Sequence, residues 1–225
     1  MSKRGVKNII LFIVFAVYIY AVMFKRCIFS SYSDYLKYSE IVNVSFLIVF
    51  LTITIWFLGF RKYKESFDSK NIIKSVLIYI FVTFVIMYGL GLAVGFLRNA
   101  YSRNLGTLFN NIFLPIVMII LVELIRYVIL WANKDKKIFI YLFTILLIRF
   151  ELCIRSLPGK DIEAIFNLFA TIVLPIIMKN AVMSYLSYHI GYKVPIIYRL
   201  IMDIYLFIIP ITVLCFNTRY SPISF

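Results

Sequence analysis

The stretch Ile112–Trp131 reads IFLPIVMIILVELIRYVILW, and Glu123 and Arg126 are its only charged residues. A helix needs about 20 predominantly apolar residues to cross the hydrocarbon core of a bilayer. Six further stretches have a similar length and character, at residues 8–24, 41–60, 72–97, 138–154, 162–178 and 194–216. We therefore predict an all-α, polytopic integral membrane helical bundle of about seven transmembrane helices, with residues 1–225 forming a single integral membrane domain.

The composition excludes a water-soluble fold. Hydrophobic residues make up 63% of the chain and charged residues 15%, and the mean hydropathy is +0.96. Soluble domains contain roughly 45–50% apolar residues, so this chain carries more apolar surface than a soluble core can bury. The same composition excludes disordered, collagen-like and disulfide-stabilised chains. The three cysteines, Cys27, Cys153 and Cys215, are dispersed and show neither a disulfide framework nor a metal-binding spacing.

The chain is strongly basic, with 24 Lys and Arg against 10 Asp and Glu and a net charge of +14. Most of the basic residues lie between the apolar stretches, where loop cations fix topology and meet anionic lipid head groups. We therefore expect the lipid bilayer, and not nucleic acid, to be the anionic partner.

The distribution of the cations predicts the orientation. With the N-terminus inside, the inner segments carry thirteen Lys and Arg residues and the outer segments carry eight. Cytoplasmic loops are enriched in Lys and Arg, so the N-terminus is expected in the cytoplasm and, after seven spans, the C-terminus outside. Lys25 and Arg26 directly follow the first span in place of a small-residue cleavage site, which favours an uncleaved anchor helix.

Two stretches of the chain resemble each other. LFNNIFLPIVM at 108–118 and LFATIVLPIIM at 168–178 are identical at seven of eleven positions, with an offset of 60 residues. This offset skips two predicted spans and predicts a parallel internal repeat. The shared Pro115 and Pro175 are expected near the first turn of a helix, where the missing N–H costs little.

Charged and polar groups within or next to the spans are the candidate site residues. Such groups are costly at membrane depth and usually face the interior of the bundle or a water-filled cavity. They are Glu123, Arg126, Arg149, Glu151, Asn180, Arg199 and Asp203.

The spacing of these residues predicts which of them can pair. Glu123 and Arg126 at i,i+3, and Arg199 and Asp203 at i,i+4, can each meet on one helix face. Arg149 and Glu151 are two apart, so each must reach another helix or the membrane interface. Two interpretations stay open. The pairs neutralise each other and fix how the helices dock, or they line a polar cavity for a substrate, a peptide or a proton.

Catalytic, cofactor and metal motifs are missing from the sequence, and we predict no catalytic, cofactor-binding or metal-binding residue. His189 is the only histidine, and a zinc site needs three or four ligands. It lies in Asn180–Tyr192, a polar and tyrosine-rich stretch that we interpret as an interfacial belt. A Ser–Lys pair of Ser184 or Ser187 with Lys179 has no supporting motif. Gly91 and Gly95 form a small-xxx-small pair that favours close helix packing.

The C-terminal third carries a recognisable pattern. It reads LPIIMKN at 174–180, SYLSY at 184–188 and GYKVPIIYRL at 191–200. This pattern resembles the multi-span N-terminal membrane region of signal-peptidase-I-like proteins of low-GC Gram-positive bacteria. Arg98–Tyr101, Leu114-Pro115 and Arg126-Tyr127 are also similar, so the resemblance covers roughly residues 75–210.

The resemblance implies a membrane region associated with signal-peptide processing in a bacterial plasma membrane. In that family a β-rich domain with a serine nucleophile and a lysine base follows the membrane region. Only fifteen residues follow Pro210 here, so we carry over no catalytic residue and do not expect this chain alone to be an enzyme.

Three functions remain open at this point. The first is a non-catalytic membrane protein that assists secretion or peptide processing with a separate peptidase or secretion component. The second is a small transporter or permease subunit with a polar cavity. The third is an intramembrane peptidase with unrecognised chemistry.

Overall fold

The computed structural model describes residues 3–28, 32–60, 67–98, 105–154, 166, 168–208 and 211–213. Within these residues the chain is almost entirely helical. The α-helices are α1 (Lys3–Ile28), α2 (Tyr32–Leu58), α3 (Phe67–Val94), α4 (Leu105–Ala132), α5 (Lys137–Ile154), α6 (Leu174–His189) and α7 (Lys193–Ile208). A π-helical segment, Phe169–Val173, leads directly into α6, and two short strands, β1 (Phe96–Arg98) and β2 (Ile211–Val213), pair antiparallel.

Four of these helices are long and apolar enough to cross a membrane, judged by length and composition. The apolar segments are Gly5–Val22, Glu40–Leu58, Asn71–Ala93 and Ile112–Ala132. Their large apolar side chains point outward in many places: Trp56 exposes 78% and Leu92 82% of its surface. These four helices support the predicted class of helical, multi-pass membrane protein.

The seven predicted spans are not established, for reasons of length and charge. α5 has 18 residues but carries Lys137, Arg149 and Glu151. α6 and α7 have 16 residues each, which corresponds to about 24 Å of helix against a hydrocarbon core of about 30 Å. The π-helical segment extends the helical path into α6, which carries Lys179 in its interior.

Two predicted spans end earlier than expected because a glycine follows the helix. α2 ends at Leu58 and Gly59 has a φ of +79°, whereas α3 ends at Val94 and Gly95 has a φ of +103°. Their amide groups still donate to the carbonyls of Ile55 and Gly91, at 2.8 and 2.7 Å. This left-handed residue after the last turn is a common helix end. Gly95 therefore ends α3 and does not lie inside a packed helix, contrary to the prediction from its spacing with Gly91.

The sixth predicted span, 162–178, differs most from the structure. Part of it lies outside the described residues, and α6 continues to His189 through the stretch predicted to be an interfacial belt. The helical path widens just before Pro175, where the amide of Leu174 donates to the carbonyl of Phe169, five residues earlier. Pro175 has no N–H for an i→i−4 bond, and the wider π turn accommodates this loss at the start of α6. Pro115, by contrast, lies inside α4 and not in its first turn.

The seventh predicted span, 194–216, also differs from the structure. α7 ends at Ile208, and Ile211–Val213 form β2. Pro210 in the sequence disfavours helical backbone at the preceding residue, which is a physical reason for the early end.

The chain divides into two compact units, residues 1–62 with 121–192 and residues 63–120 with 193–225. In the second unit, α3 packs on α7: the rings of Phe84 and Tyr205 lie 4.9 Å apart, and the Tyr205 hydroxyl is 3.5 Å from the Met87 sulfur. β1 and β2 belong to this unit as well.

The first unit has an aromatic core between α1, α2 and α5. The fully buried ring of Phe15 lies 5.1 Å from the ring of Phe50, 5.9 Å from that of Phe143 and 5.5 Å from that of Phe150. Aromatic pairs at these separations add favourable edge and face contacts to ordinary packing.

One end of the first unit is basic, and we call it the basic end; its exposed cations are Lys7, Lys134, Lys136 and Lys137. Contacts between helix termini show which helices begin or end at the basic end. The Lys7 ammonium donates to the carbonyl of Phe57 at 3.3 Å, and the Tyr188 hydroxyl donates to the carbonyl of Lys134 at 3.4 Å. α1 and α5 therefore begin at this end, whereas α2, α4 and α6 finish there.

Candidate functional site

Buried charged and amide groups join α4, α5 and α6 in the first unit. Asn180 of α6 lies at the centre. The guanidinium of Arg126 donates to the side-chain oxygen of Asn180 at 2.7 Å and to its backbone carbonyl at 3.3 Å. Asn180 and Arg126 expose 2% and 0% of their surface, so these bonds form away from water.

The amide nitrogen of Asn180 continues the network to α5. It donates to one carboxylate oxygen of Glu151 at 2.9 Å and to the carbonyl of Ile176 at 3.0 Å. The other carboxylate oxygen of Glu151 accepts a hydrogen bond from the ammonium of Lys179. A single asparagine therefore uses its oxygen toward a cation and its nitrogen toward an anion.

Glu123 completes this polar cluster, which we define as Glu123, Arg126, Glu151, Lys179 and Asn180. Its carboxylate lies 3.4 Å from the Arg126 guanidinium, and both side chains are fully buried. Glu123 precedes the end of α4 by nine residues, about 14 Å of helix, which is near the middle of a bilayer core.

The charges of the polar cluster balance, with two carboxylates and two cations. Pairing of this kind offsets much of the cost of removing each charge from water, whereas one unpaired buried charge is strongly destabilising. The arrangement therefore joins three helices through paired charges.

A row of small polar residues continues from the polar cluster along α6. Asn180, Ser184 and Ser187 recur at spacings of four and three residues, and all three are buried. The Ser184 hydroxyl is hydrogen-bonded to the Thr144 hydroxyl of α5 at 2.9 Å. The Ser187 hydroxyl, by contrast, has no hydrogen-bond partner among the described residues.

The buried face of α6 combines these three polar residues with Ile176 and Met183, whereas its exposed face is largely apolar. Its outward side chains include Leu174, Ile177, Met178, Val182 and Tyr185. Soluble helices show the opposite arrangement, and membrane helices use small and polar residues at their mutual contacts. This reversed pattern is independent support for a lipid environment around the first unit.

A second buried contact holds α1 to the end of α4. The side-chain amides of Asn8 and Asn133 bond to each other, and both residues are buried. The Asn133 nitrogen also donates to the carbonyl of Ile129 at 2.8 Å. This pair lies at the basic end, and the sequence analysis does not include it among the candidates.

The predicted site residues have different positions in the structure. Glu123 and Arg126 pair at i,i+3 as expected, and Glu151 reaches another helix, as its spacing from Arg149 requires. Arg149 is exposed on α5 and is not among the five residues of the polar cluster. Arg199 and Asp203 pair at 3.2 Å on α7, in the second unit.

Lys179 is the charged residue whose role the sequence analysis misses. Counted there among the cations of the inner segments, it lies inside α6 and pairs with Glu151. The helical spacing of Asn180, Ser184 and Ser187 is the available signal, because it marks one face of a helix in the stretch predicted to be an interfacial belt.

His189 lies among tyrosine rings, and the side chains of Cys27 and Cys153 are outside the described part of the structure. The His189 ring lies 4.5 Å from the ring of Tyr185 and 4.8 Å from that of Tyr188. No group of three or more metal-ligating side chains occurs in the described part of the chain. Cys215 lies outside the described residues.

Comparisons with protein-family models, with curated proteins and with solved structures gave no significant match.

Proposed function

We propose that this chain is a non-catalytic, multi-pass protein of a bacterial plasma membrane that assists secretion or peptide processing. In this proposal it acts with a separate peptidase or secretion component and supplies a rigid bundle of helices. The observation that carries the proposal is the polar cluster, whose charges are balanced and bonded to one another.

The residues that underlie the resemblance to signal-peptidase-associated membrane regions also contact one another. Arg126 bonds to Asn180, and the ring of Tyr127 lies 5.2 Å from the ring of Tyr192. Two separate parts of the pattern thus meet: α4 contacts the interior of α6 at Asn180 and the bend after α6 at Tyr192. Such contacts support the interpretation that the pattern preserves the shape of a membrane domain.

The bonding in α6 argues against a catalytic pair of Ser184 with Lys179. The Lys179 ammonium is directed to Glu151, and the Ser184 hydroxyl is directed to Thr144. A nucleophile and its base must instead lie within hydrogen-bonding distance of each other. This bonding agrees with the proposal that a separate protein performs the cleavage.

The basic end supports the proposed orientation. Lys7, Lys134, Lys136 and Lys137 lie on one side of the first unit, where α1 begins. Because Lys and Arg are enriched on the cytoplasmic side, the N-terminus is proposed to be cytoplasmic.

The test is the processing of secreted proteins in the native host. Deletion of the gene for this chain is expected to slow conversion of precursors to mature secreted proteins, measured by pulse labelling. The wild-type gene should restore the rate. An Asn180→Leu variant, which breaks the polar cluster, should not restore it, whereas a Val182→Ala variant on the exposed side of the same helix should. Unchanged precursor conversion in the deletion strain would refute an accessory role in processing.

The polar row on α6 favours a second candidate, a small transporter or permease subunit. Asn180, Ser184 and Ser187 form a buried polar face that leads from the basic end to the polar cluster. If this face is a transport path, Glu123→Ala should abolish uptake of a substrate without lowering the protein level. A variant that only fails to accumulate would support the structural role of Glu123 instead.

A further inference from the structure

The turn between α4 and α5 concentrates positive charge at one point of the surface. Lys134, Lys136 and Lys137 are all exposed, and Asp135 is the single acid among them. Lys7 of α1 is exposed at the same end, so four cations face one anion among the described residues of this surface. A local excess of this kind attracts anions, and its effect is largest at low ionic strength.

Aromatic rings hold one of these lysines in place. The Lys134 ammonium lies 5.4 Å from the ring centroid of Trp131 and 5.5 Å from that of Tyr188. The Tyr188 hydroxyl bonds to the Lys134 carbonyl, and the His189 ring packs edge-on against Tyr188. The cation is thus positioned by the ends of α4 and α6 together, which reduces the conformational entropy lost when it binds an anion.

Two other lysines at the basic end each lie near one aromatic ring. The Lys136 ammonium lies 5.9 Å from the ring of Phe139, and the Lys7 ammonium lies 5.7 Å from the ring of Phe57. Each ring belongs to a helix that starts or ends at the basic end.

The position relative to the bilayer identifies the kind of anion. The apolar segment of α4 ends at Ala132, two residues before Lys134. The lysines therefore lie where the hydrocarbon core gives way to head groups. Trp131 lies one residue inside this boundary, at the depth where Trp and Tyr are enriched. The anions concentrated at this depth are the phosphates of lipid head groups.

We propose that the surface formed by Trp131, Lys134, Lys136, Lys137 and Tyr188 binds the phosphate of an anionic phospholipid of the same leaflet. The lysines attract the phosphate, and the rings contact the glycerol and upper acyl chain. This site is separate from the polar cluster and does not depend on the proposed role in processing.

The chain offers a direct reporter, because Trp56 and Trp131 are its only tryptophans. A Trp56→Phe variant leaves Trp131 as the single tryptophan fluorophore. The full-length variant is reconstituted into bilayers of phosphatidylcholine and phosphatidylglycerol in which either one or the other lipid carries bromine on its acyl chains. Bromine quenches tryptophan on contact, so the two quenching curves give the lipid composition beside Trp131.

We expect phosphatidylglycerol to be enriched beside Trp131 by roughly threefold or more, since one interfacial Lys already contributes measurable attraction. Replacing Lys134, Lys136 and Lys137 by Gln together should bring the enrichment close to one. Replacing the same three residues by Arg keeps the charge and should preserve the enrichment, so the Arg variant controls for the effect of substitution at these positions. A Lys74→Gln and Arg149→Gln variant removes cations elsewhere and should also preserve it.

Two results would overturn the proposal. The first is equal quenching by both lipids in the parent protein, or an enrichment that the triple Gln variant retains. The second is loss of the enrichment on adding inorganic phosphate, when chloride at equal ionic strength leaves it unchanged. That outcome would identify a site for a soluble anion in place of a lipid.

Discussion

Asn180 of α6 accepts a hydrogen bond of 2.7 Å from the guanidinium of Arg126 on α4 and donates one of 2.9 Å to the carboxylate of Glu151 on α5. The side-chain amide offers an acceptor oxygen and a donor nitrogen, so it bonds to both neighbours at once, which a purely apolar side chain cannot do. The joint of three helices therefore depends on one neutral residue between opposite charges.

Replacing Asn180 with Leu should strongly destabilise the protein. The change leaves Arg126 and Glu151 each without one buried bond, and the loss is expected to be about 3 kcal/mol. For a chain of this size, that lowers the midpoint of thermal unfolding in detergent by about 6–12 °C. Val182→Ala, on the outward face of α6, is the matched control and should shift the midpoint little. Equal shifts in both variants would contradict the central role of Asn180.

The pair of Glu151 and Lys179 should behave as a coupled unit. Glu151→Gln and Lys179→Met each leave one half-buried charge without this opposite charge, and each should lower the thermal midpoint. The double variant removes both charges and should be more stable than the sum of the two losses, with a coupling of about 1–3 kcal/mol. Lys137→Gln removes an exposed charge at the start of α5 and serves as the control. Additive losses in the double variant would show that the two groups act independently.

The two buried serines of α6 should respond in opposite directions. Ser184→Ala removes the bond to Thr144 and should cost about 0.6 kcal/mol, an average value for side-chain hydrogen bonds within membranes. Ser187→Ala removes a buried hydroxyl that has no partner among the described residues, so it should leave stability unchanged or raise it by about 0.5–1 kcal/mol. Thermal unfolding of both variants side by side measures the difference. A marked loss in Ser187→Ala would show that this hydroxyl has a bound partner.

Two glycines provide a test of the helix ends. Gly59 has open space where a Cβ would lie but a φ of +79°, so Gly59→Ala should cost about 1–2 kcal/mol through backbone strain alone. Gly89 lies inside α3, also with open space, and Gly89→Ala should instead stabilise that helix by up to about 1 kcal/mol. Comparison of the two thermal midpoints distinguishes backbone strain at Gly59 from the gain in helix propensity at Gly89. Similar effects of the two changes would contradict the assignment of Gly59 as a helix end.

Local spacing explains which parts of the site could be predicted from the sequence. Glu123 and Arg126 lie on one helix, so the i,i+3 rule is enough to pair them. The same holds for Arg199 and Asp203 at i,i+4. The apolar segments of α1 to α4 can also be predicted from the sequence, because a run of about 20 apolar residues has few alternatives to crossing a membrane.

The parts that could not be predicted require knowledge of which helices meet. Glu151 finds its partner Lys179 on another helix, and no spacing rule relates the two positions. Lys179 and the following polar residues are predicted to form a connecting segment and an interfacial belt, whereas they lie within the helix α6. Hydropathy cannot distinguish a loop from a helix whose polar face is buried, and α6 is a helix of the second kind.

The reversed polarity of α6 separates the residues that touch lipid from those that define the joint. Leu174, Met178 and Val182 meet the surroundings, whereas Asn180 and Ser184 meet other helices. The two sets can be altered independently. Charged replacements confined to the outer set would make the exposed face of this helix compatible with water and leave its internal bonds unchanged. The hydrogen bonds and ion pairs that determine which helices meet therefore do not themselves require the membrane.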